Sequence, residues 1–89
     1  MEIKIYLEIK RISVKYSNYT FYHFGSSTVT NKRYGDIDIL IIYETPKHIN
    51  SIRYDFKNIK TFEHFDLMFL SFDEEKELKF VEKVKAIKL

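Results

Sequence analysis

The residues DIDILIIY, 36–43, form the most strand-like stretch of the chain. After Asp38 the side chains are apolar on both faces, and four of the eight residues are isoleucine. A run rich in β-branched residues without polar alternation is typical of a central strand that is covered on both sides. The stretch therefore predicts a core strand, and this strand begins with two acidic residues.

A second helix and a further strand are predicted immediately after this core strand. Thr45 and Pro46 indicate a helix start, with threonine as the N-cap and proline in the first turn. The apolar face of that helix consists of Ile49, Ile52, Phe56 and Ile59. Residues 65–70, FDLMFL, predict the next strand. Two strands joined through a helix in one sheet are expected to be parallel, with a right-handed crossover.

The N-terminal residues 1–17 fit two periodicities. Apolar residues alternate as in a strand at Ile3, Ile5, Leu7 and Ile9. They also recur as on a helix face at Ile5, Ile9, Ile12 and Tyr16. Periodicity alone favours the helix only weakly. Residues 19–24, YTFYHF, predict a strand that ends at Gly25, and a polar connection follows.

The C-terminal residues predict a last helix. Ser71 and Glu74 have the spacing of a capping box. The apolar stripe behind it consists of Leu78, Val81 and either Val84 or Lys85. Together these elements predict a mixed α/β (α+β) fold with a small mixed three-stranded sheet flanked by helices, in the order helix, strand, loop, strand, helix, strand, helix.

Composition limits the function classes. The 89 residues carry a net charge of +2 and no cysteine. This length predicts a single domain over residues 1–89. The small charge does not indicate a nucleic-acid partner, and the missing thiols exclude a thiolate metal site or a cysteine nucleophile. We see neither a signal-peptide pattern nor an apolar run of membrane-spanning length, and we expect a cytoplasmic protein without membrane contact.

Three carboxylates are predicted to meet at one end of the sheet. Asp36 and Asp38 open one strand and Asp66 opens the next, and the starts of parallel strands lie together. Residues two apart on a strand face the same side, so Asp36 and Asp38 point together. Two like charges about 4 Å apart repel by about 4 kcal/mol at an effective dielectric constant near 20. A positive ion between them, such as Mg²⁺, which prefers oxygen ligands, would relieve this repulsion.

Gly25 and Ser26 supply the chemistry of a phosphate site just before the acids. Glycine permits close approach of the backbone, and the serine hydroxyl and free N–H groups can hold phosphate oxygens. With these residues the chain resembles the polymerase-β-like nucleotidyltransferases, and among them the minimal nucleotidyltransferase domains. The resemblance rests on Gly25-Ser26-Ser27, the nine-residue spacer 27–35, Asp36-Ile37-Asp38 and the later Asp66. It covers residues 19–70, and its element order supports a helix at residues 2–16.

The resemblance implies an enzyme that transfers a nucleoside monophosphate from a triphosphate, with ATP the favoured donor, to a hydroxyl acceptor. Asp36 and Asp38 would hold a first Mg²⁺ and Asp66 a second, so that all three are implied to be catalytic and metal-binding. Gly25, Ser26 and Ser27 would contact the phosphates. Lys32 and Arg33 would also contact the triphosphate, although they stand later than the basic residue that many members carry after Gly-Ser.

The resemblance also implies that the acceptor surface is shared. A second copy of the chain could supply it in a homo-oligomer, or a partner protein could be the substrate. The second arrangement resembles the small antitoxins that adenylylate a HEPN-type ribonuclease toxin. Fold-level analogy of this kind constrains function less than the site does.

The same residues have plainer readings. Asp36 and Asp38 could be solvated strand-start acids, and Asp66 an exposed acid on an edge strand. Ser26 and Ser27 could be turn residues, and Lys32 and Arg33 solvated charges. The corresponding second function class is a non-catalytic module that uses this fold to bind a partner, as an antitoxin or a regulatory subunit.

Overall fold

The computed structural model describes residues 2–25, 36–61 and 63–89. These residues form a four-stranded sheet with helices packed against it. The strands are β1 (Thr20–Phe24), β2 (Asp36–Tyr43), β3 (His64–Ser71) and β4 (Ile87–Lys88). The helices are α1 (Ile3–Lys15), α2 (Ile49–Lys57), α3 (Phe72–Leu78) and α4 (Phe80–Lys83). No helix in the described ranges is long and apolar enough to cross a membrane.

The predicted mixed sheet is confirmed in its central strands. The spatial order is β3-β2-β1-β4, with β1 antiparallel to β2 and β2 parallel to β3. The strand β2 lies inside the sheet, as its unbroken apolar run predicted. The helical reading of the N-terminal residues is also confirmed, because α1 buries the 3.6-residue stripe Ile5, Ile9 and Ile12.

The main core lies between α1, α2 and one face of the sheet. Side chains of alternate β2 residues point into it, because successive residues of a strand face opposite sides. Its most completely buried members are Ile9, Ile12, Ile39, Ile41 and Ile52. The ring of Phe56 on α2 fills the remaining space beside Phe21 and Phe65, with ring centroids 6.3 and 5.3 Å apart. This face therefore holds most of the buried apolar surface.

A polar contact connects the C-terminal end of α1 with α2. The Tyr16 hydroxyl and the Lys15 ammonium both donate to Oδ2 of Asp55, at 2.7 and 2.9 Å. Burial acts to raise the pKa of Asp55, but the hydrogen bonds from Lys15 and Tyr16 outweigh it and leave this pKa below its ordinary value. The ionised carboxylate therefore stabilises the fold.

The prediction of three strands is wrong, because the C-terminus supplies a fourth. Residues Ile87 and Lys88 pair antiparallel with His23 and Tyr22 of β1. The Leu89 N–H adds a hydrogen bond to the Phe21 carbonyl at 2.9 Å. Without this segment the edge of β1 would present unpaired backbone groups.

The prediction of one continuous C-terminal helix is also wrong. The capping box is present, with reciprocal bonds between Ser71 and Glu74 of 3.1 and 2.8 Å. However, α3 ends at Leu78, and Lys79 adopts the left-handed conformation with φ of 52°. The break turns Phe80 onto the sheet, where its ring meets that of Phe24 edge to face at 5.3 Å. Tertiary packing thus outweighs the helical periodicity.

The start of the second helix differs in its cap. Thr45 makes no side-chain cap bond, and a 3₁₀ turn, Pro46–His48, precedes α2. The Tyr19 hydroxyl instead supplies the hydrogen bonds at this helix start. It donates to the Thr45 carbonyl at 2.6 Å and accepts from the His48 N–H at 2.9 Å. Of the predicted apolar face, Ile52 and Phe56 are buried on α2 and Ile49 is partly buried, whereas Ile59 is buried just beyond the end of the helix.

Candidate functional site

The strand register brings the three predicted carboxylates to one end of the sheet. Asp38 on β2 is paired with Asp66 on β3, and Asp36 lies two residues before Asp38. Paired residues of adjacent strands share a face, and so do residues two apart on one strand. Asp36, Asp38 and Asp66 therefore share one face, opposite the face that α1 and α2 cover.

The close approach of β1 to these acids explains the glycine. Gly25 follows the last residue of β1, Phe24, which is paired with Asp38. Its φ is +83°, a conformation that side-chain-bearing residues rarely adopt. A Cβ atom at this position would lie 2.9 Å from Cγ of Asp38 and would also overlap the carboxylate oxygen. The backbone at Gly25 and the carboxylate of Asp38 are thus in contact, and only glycine fits there without displacing the acid.

The acidic end of this face is open to solvent, in contrast to its other end. Asp36 and Asp66 are exposed, and Asp38 is partly buried. Further along the same face, Leu40, Ile42 and Leu70 form a small buried cluster against Phe80 and Val81 of α4. The chain therefore presents acids where a polar ligand can reach them.

His64 also belongs to this group, although the sequence motifs do not include it. It is paired with Asp36 across the two parallel strands, and it lies two residues before Asp66 on β3. Its side chain is exposed. The signal that would have identified it is the register between β2 and β3, which the sequence does not specify. By contrast, His23 is buried on the opposite face, where burial lowers its pKa.

The donor set fits magnesium when the ion arrives with a phosphate ligand. Mg²⁺ uses one or two protein carboxylates and completes its octahedron with phosphate oxygens and water. Asp36 and Asp38 supply two such carboxylates on one strand face. Among the described residues no group of three acidic or histidine side chains is arranged to hold a metal ion. The protein side of such a site would therefore be a pair of carboxylates, with Asp66 beside it.

The remaining predicted site residues lie outside the described ranges. These are Ser26, Ser27, Lys32 and Arg33. Of the predicted phosphate contacts, the structure thus describes only Gly25.

No protein-family model matches the chain, and a search of curated proteins finds no related sequence.

Proposed function

We propose that the chain is a metal-dependent nucleotidyltransferase that transfers a nucleoside monophosphate from a triphosphate, with ATP the favoured donor, to a hydroxyl acceptor. The observation that carries this proposal is the contact between Gly25 and Asp38 at the point where Asp38 is paired with Asp66. Gly25 lets the backbone approach closely beside Asp38 and Asp66 on the solvent-exposed face of the sheet. Such a place can bind a phosphate ester together with its metal counter-ion. The sequence resemblance supplies the reaction type.

Each residue has a distinct part in this proposal. Asp36 and Asp38 would hold Mg²⁺, and the glycine backbone at position 25, with Ser26 and Ser27, would steady the phosphates. Asp66 would act on the acceptor side, where it would orient the attacking hydroxyl and hold a second ion. Bound metal would neutralise charge on the phosphates and lower the pKa of the acceptor hydroxyl.

The acceptor in this proposal is a hydroxyl of another macromolecule. Asp66 lies on β3, at the edge of the sheet within the described ranges, and it is exposed. A second copy of the chain or a partner protein, such as a HEPN-type ribonuclease, would complete the wall on that side.

Ligand stabilisation tests the proposal. At a concentration one hundred times its Kd, a ligand that binds only the folded state stabilises it by about 2.7 kcal/mol. For a domain of this size we expect MgATP to raise the Tm by about 10 °C or more. The Asp38→Asn variant should lose this rise. Glu77→Gln, which removes one exposed carboxylate on α3 away from the site, should keep it.

Transfer of label from α-labelled ATP to an added acceptor protein should also disappear in Asp38→Asn. An equal Tm rise in wild type and Asp38→Asn, or no rise in either, contradicts the proposal.

A second candidate function is a non-catalytic module that binds a partner protein. It is favoured by the exposed apolar residues Ile3, Leu7 and Val14 of α1, which the core leaves uncovered. In that case MgATP would leave the Tm unchanged while a partner raised it.

A further inference from the structure

The outer face of α1 carries a second apolar stripe that the core does not use. Its members are Ile3, Leu7 and Val14, which are 71, 57 and 68% exposed. The buried stripe of the same helix contains Ile5, Ile9 and Ile12. A surface helix of a globular protein normally has one apolar face and one polar face. On α1, which has two opposite apolar faces, the core covers only one, and the other is available to bind a partner.

The geometry of the stripe is that of a helix-packing seam. At 3.6 residues per turn, each residue advances about 100° around the axis, so Ile3, Leu7 and Val14 fall within about 40° of one another. Lys10 lies beside them and completes the spacing 3, 7, 10, 14, the alternation of four and three residues typical of a coiled-coil seam. The seam is about 16 Å long. No element in the described parts of the chain covers it.

Basic residues border the stripe on both sides. Lys10 lies on one side, and Lys4 and Arg11 lie on the other. The whole of α1 contains four basic residues and one acidic residue. That acidic residue, Glu8, already pairs with Arg11 at 3.3 Å.

These charges select among the candidate occupants. A second copy of α1 would set lysine and arginine against lysine and arginine, and like charges at such positions repel. A lipid bilayer is disfavoured because only three apolar side chains, Ile3, Leu7 and Val14, would enter it, with the Lys10 ammonium directly beside them. A helix with apolar seam residues and flanking carboxylates would bury the stripe and neutralise its borders.

We propose that the outer face of α1 is a docking site for an acidic amphipathic helix of a partner protein. Ile3, Leu7 and Val14 provide the apolar contact. Lys4, Lys10 and Arg11 pair with the carboxylates and set the orientation. This docking site is independent of the proposed nucleotide chemistry, because Asp36, Asp38 and Asp66 lie on the face of the sheet opposite α1.

Two synthetic peptides test this site with the full chain. Both have leucine at every a and d position, and one carries glutamate and the other lysine at every e and g position. We expect the acidic peptide to bind at least tenfold more tightly than the basic one in fluorescence anisotropy. Leu7→Glu should weaken acidic-peptide binding at least tenfold. Tyr54→Glu, an equally drastic change at an exposed residue of α2, should leave it unchanged.

Charge reversal gives a second readout that a loss of folding cannot imitate. The double variant Lys4→Glu/Lys10→Glu should prefer the basic peptide over the acidic one. Equal binding of both peptides by the wild type, or binding of neither, overturns the proposal. Dimerisation in sedimentation that Leu7→Glu abolishes, or binding to phosphatidylserine vesicles that Leu7→Glu abolishes, also overturns it, because the occupant would then be a second copy or a membrane.

Discussion

The two faces of the sheet are built from the same strands but have different tasks. Alternate residues of β2 point to the two sides, so that Ile37, Ile39 and Ile41 lie in the main core beneath α1 and α2. Asp36 and Asp38 point to the other side, together with Asp66. One face thus holds the main core, and the other carries the acids at one end and a small buried cluster further along. Stability and the candidate chemistry therefore depend on different residues of the same strands.

The largest expected effect comes from a substitution that creates a cavity in the core beneath α1 and α2. Phe56 is 2% exposed and contacts two other rings. We expect Phe56→Ala to lower the free energy of unfolding by about 3–5 kcal/mol. Met68→Ala, on the other face at 40% exposure, should cost under about 1.5 kcal/mol. Urea denaturation measures both. If Phe56→Ala does not fold, Phe56→Leu can be measured in its place. Equal losses of unfolding free energy at Phe56 and Met68 would contradict the difference between the two faces.

The next effect should appear at Gly25, where the two tasks meet. Gly25→Ala forces a side chain into the left-handed region, which costs about 1–2 kcal/mol, and it displaces the Asp38 carboxylate. We therefore expect both lower stability and weaker MgATP binding. A double-mutant cycle with Asp38→Ala separates the causes. Removal of the carboxylate should relieve the overlap but not the backbone strain. An additive cycle would show that the two residues are not in contact.

A smaller effect is expected from the polar contact between α1 and α2. Tyr16→Phe removes the hydrogen bond to Asp55 and should cost about 1 kcal/mol. Because the folded state lowers the pKa of Asp55, its contribution is present above the unfolded value near 3.9 and is lost as pH falls through the folded pKa. Unfolding curves between pH 6 and pH 2 should show this loss in wild type. The loss should be smaller in Asp55→Asn, and curves of identical shape would contradict the assignment.

The smallest effect on stability is expected among the acids of the open face. Asp66 lies opposite another carboxylate, and like charges directly opposite on neighbouring strands destabilise a sheet. Asp66→Asn should therefore change the free energy of unfolding by less than about 0.5 kcal/mol, in the stabilising direction, and less at high salt. Its effect should instead fall on the nucleotidyl-transfer rate, with triphosphate binding largely retained. A stability loss above 1 kcal/mol would assign Asp66 to the structure rather than to the chemistry.

Local sequence patterns determined the central elements. The run 36–43 has the same bounds as β2, because a stretch rich in β-branched isoleucine and apolar from residue 39 onward has no competing helical periodicity. The capping box at Ser71 marked the start of α3, because its bonds span only three residues. The parallel pairing that gathers Asp38 and Asp66 followed from the strand–helix–strand connection. The first two features depend on neighbouring residues, and the third follows from a general rule for strand–helix–strand connections. All three can therefore be predicted from the sequence.

Only the tertiary structure decided the features that depend on distant partners. The strand Ile87–Lys88 is too short for a periodic pattern and exists because the edge of β1 offers it hydrogen bonds. Lys79 breaks a helical stripe because Phe80 gains a ring contact with Phe24. His64 joins the acids through the register of β2 and β3. In each case the partner lies far along the chain, so no local signal could have predicted the feature.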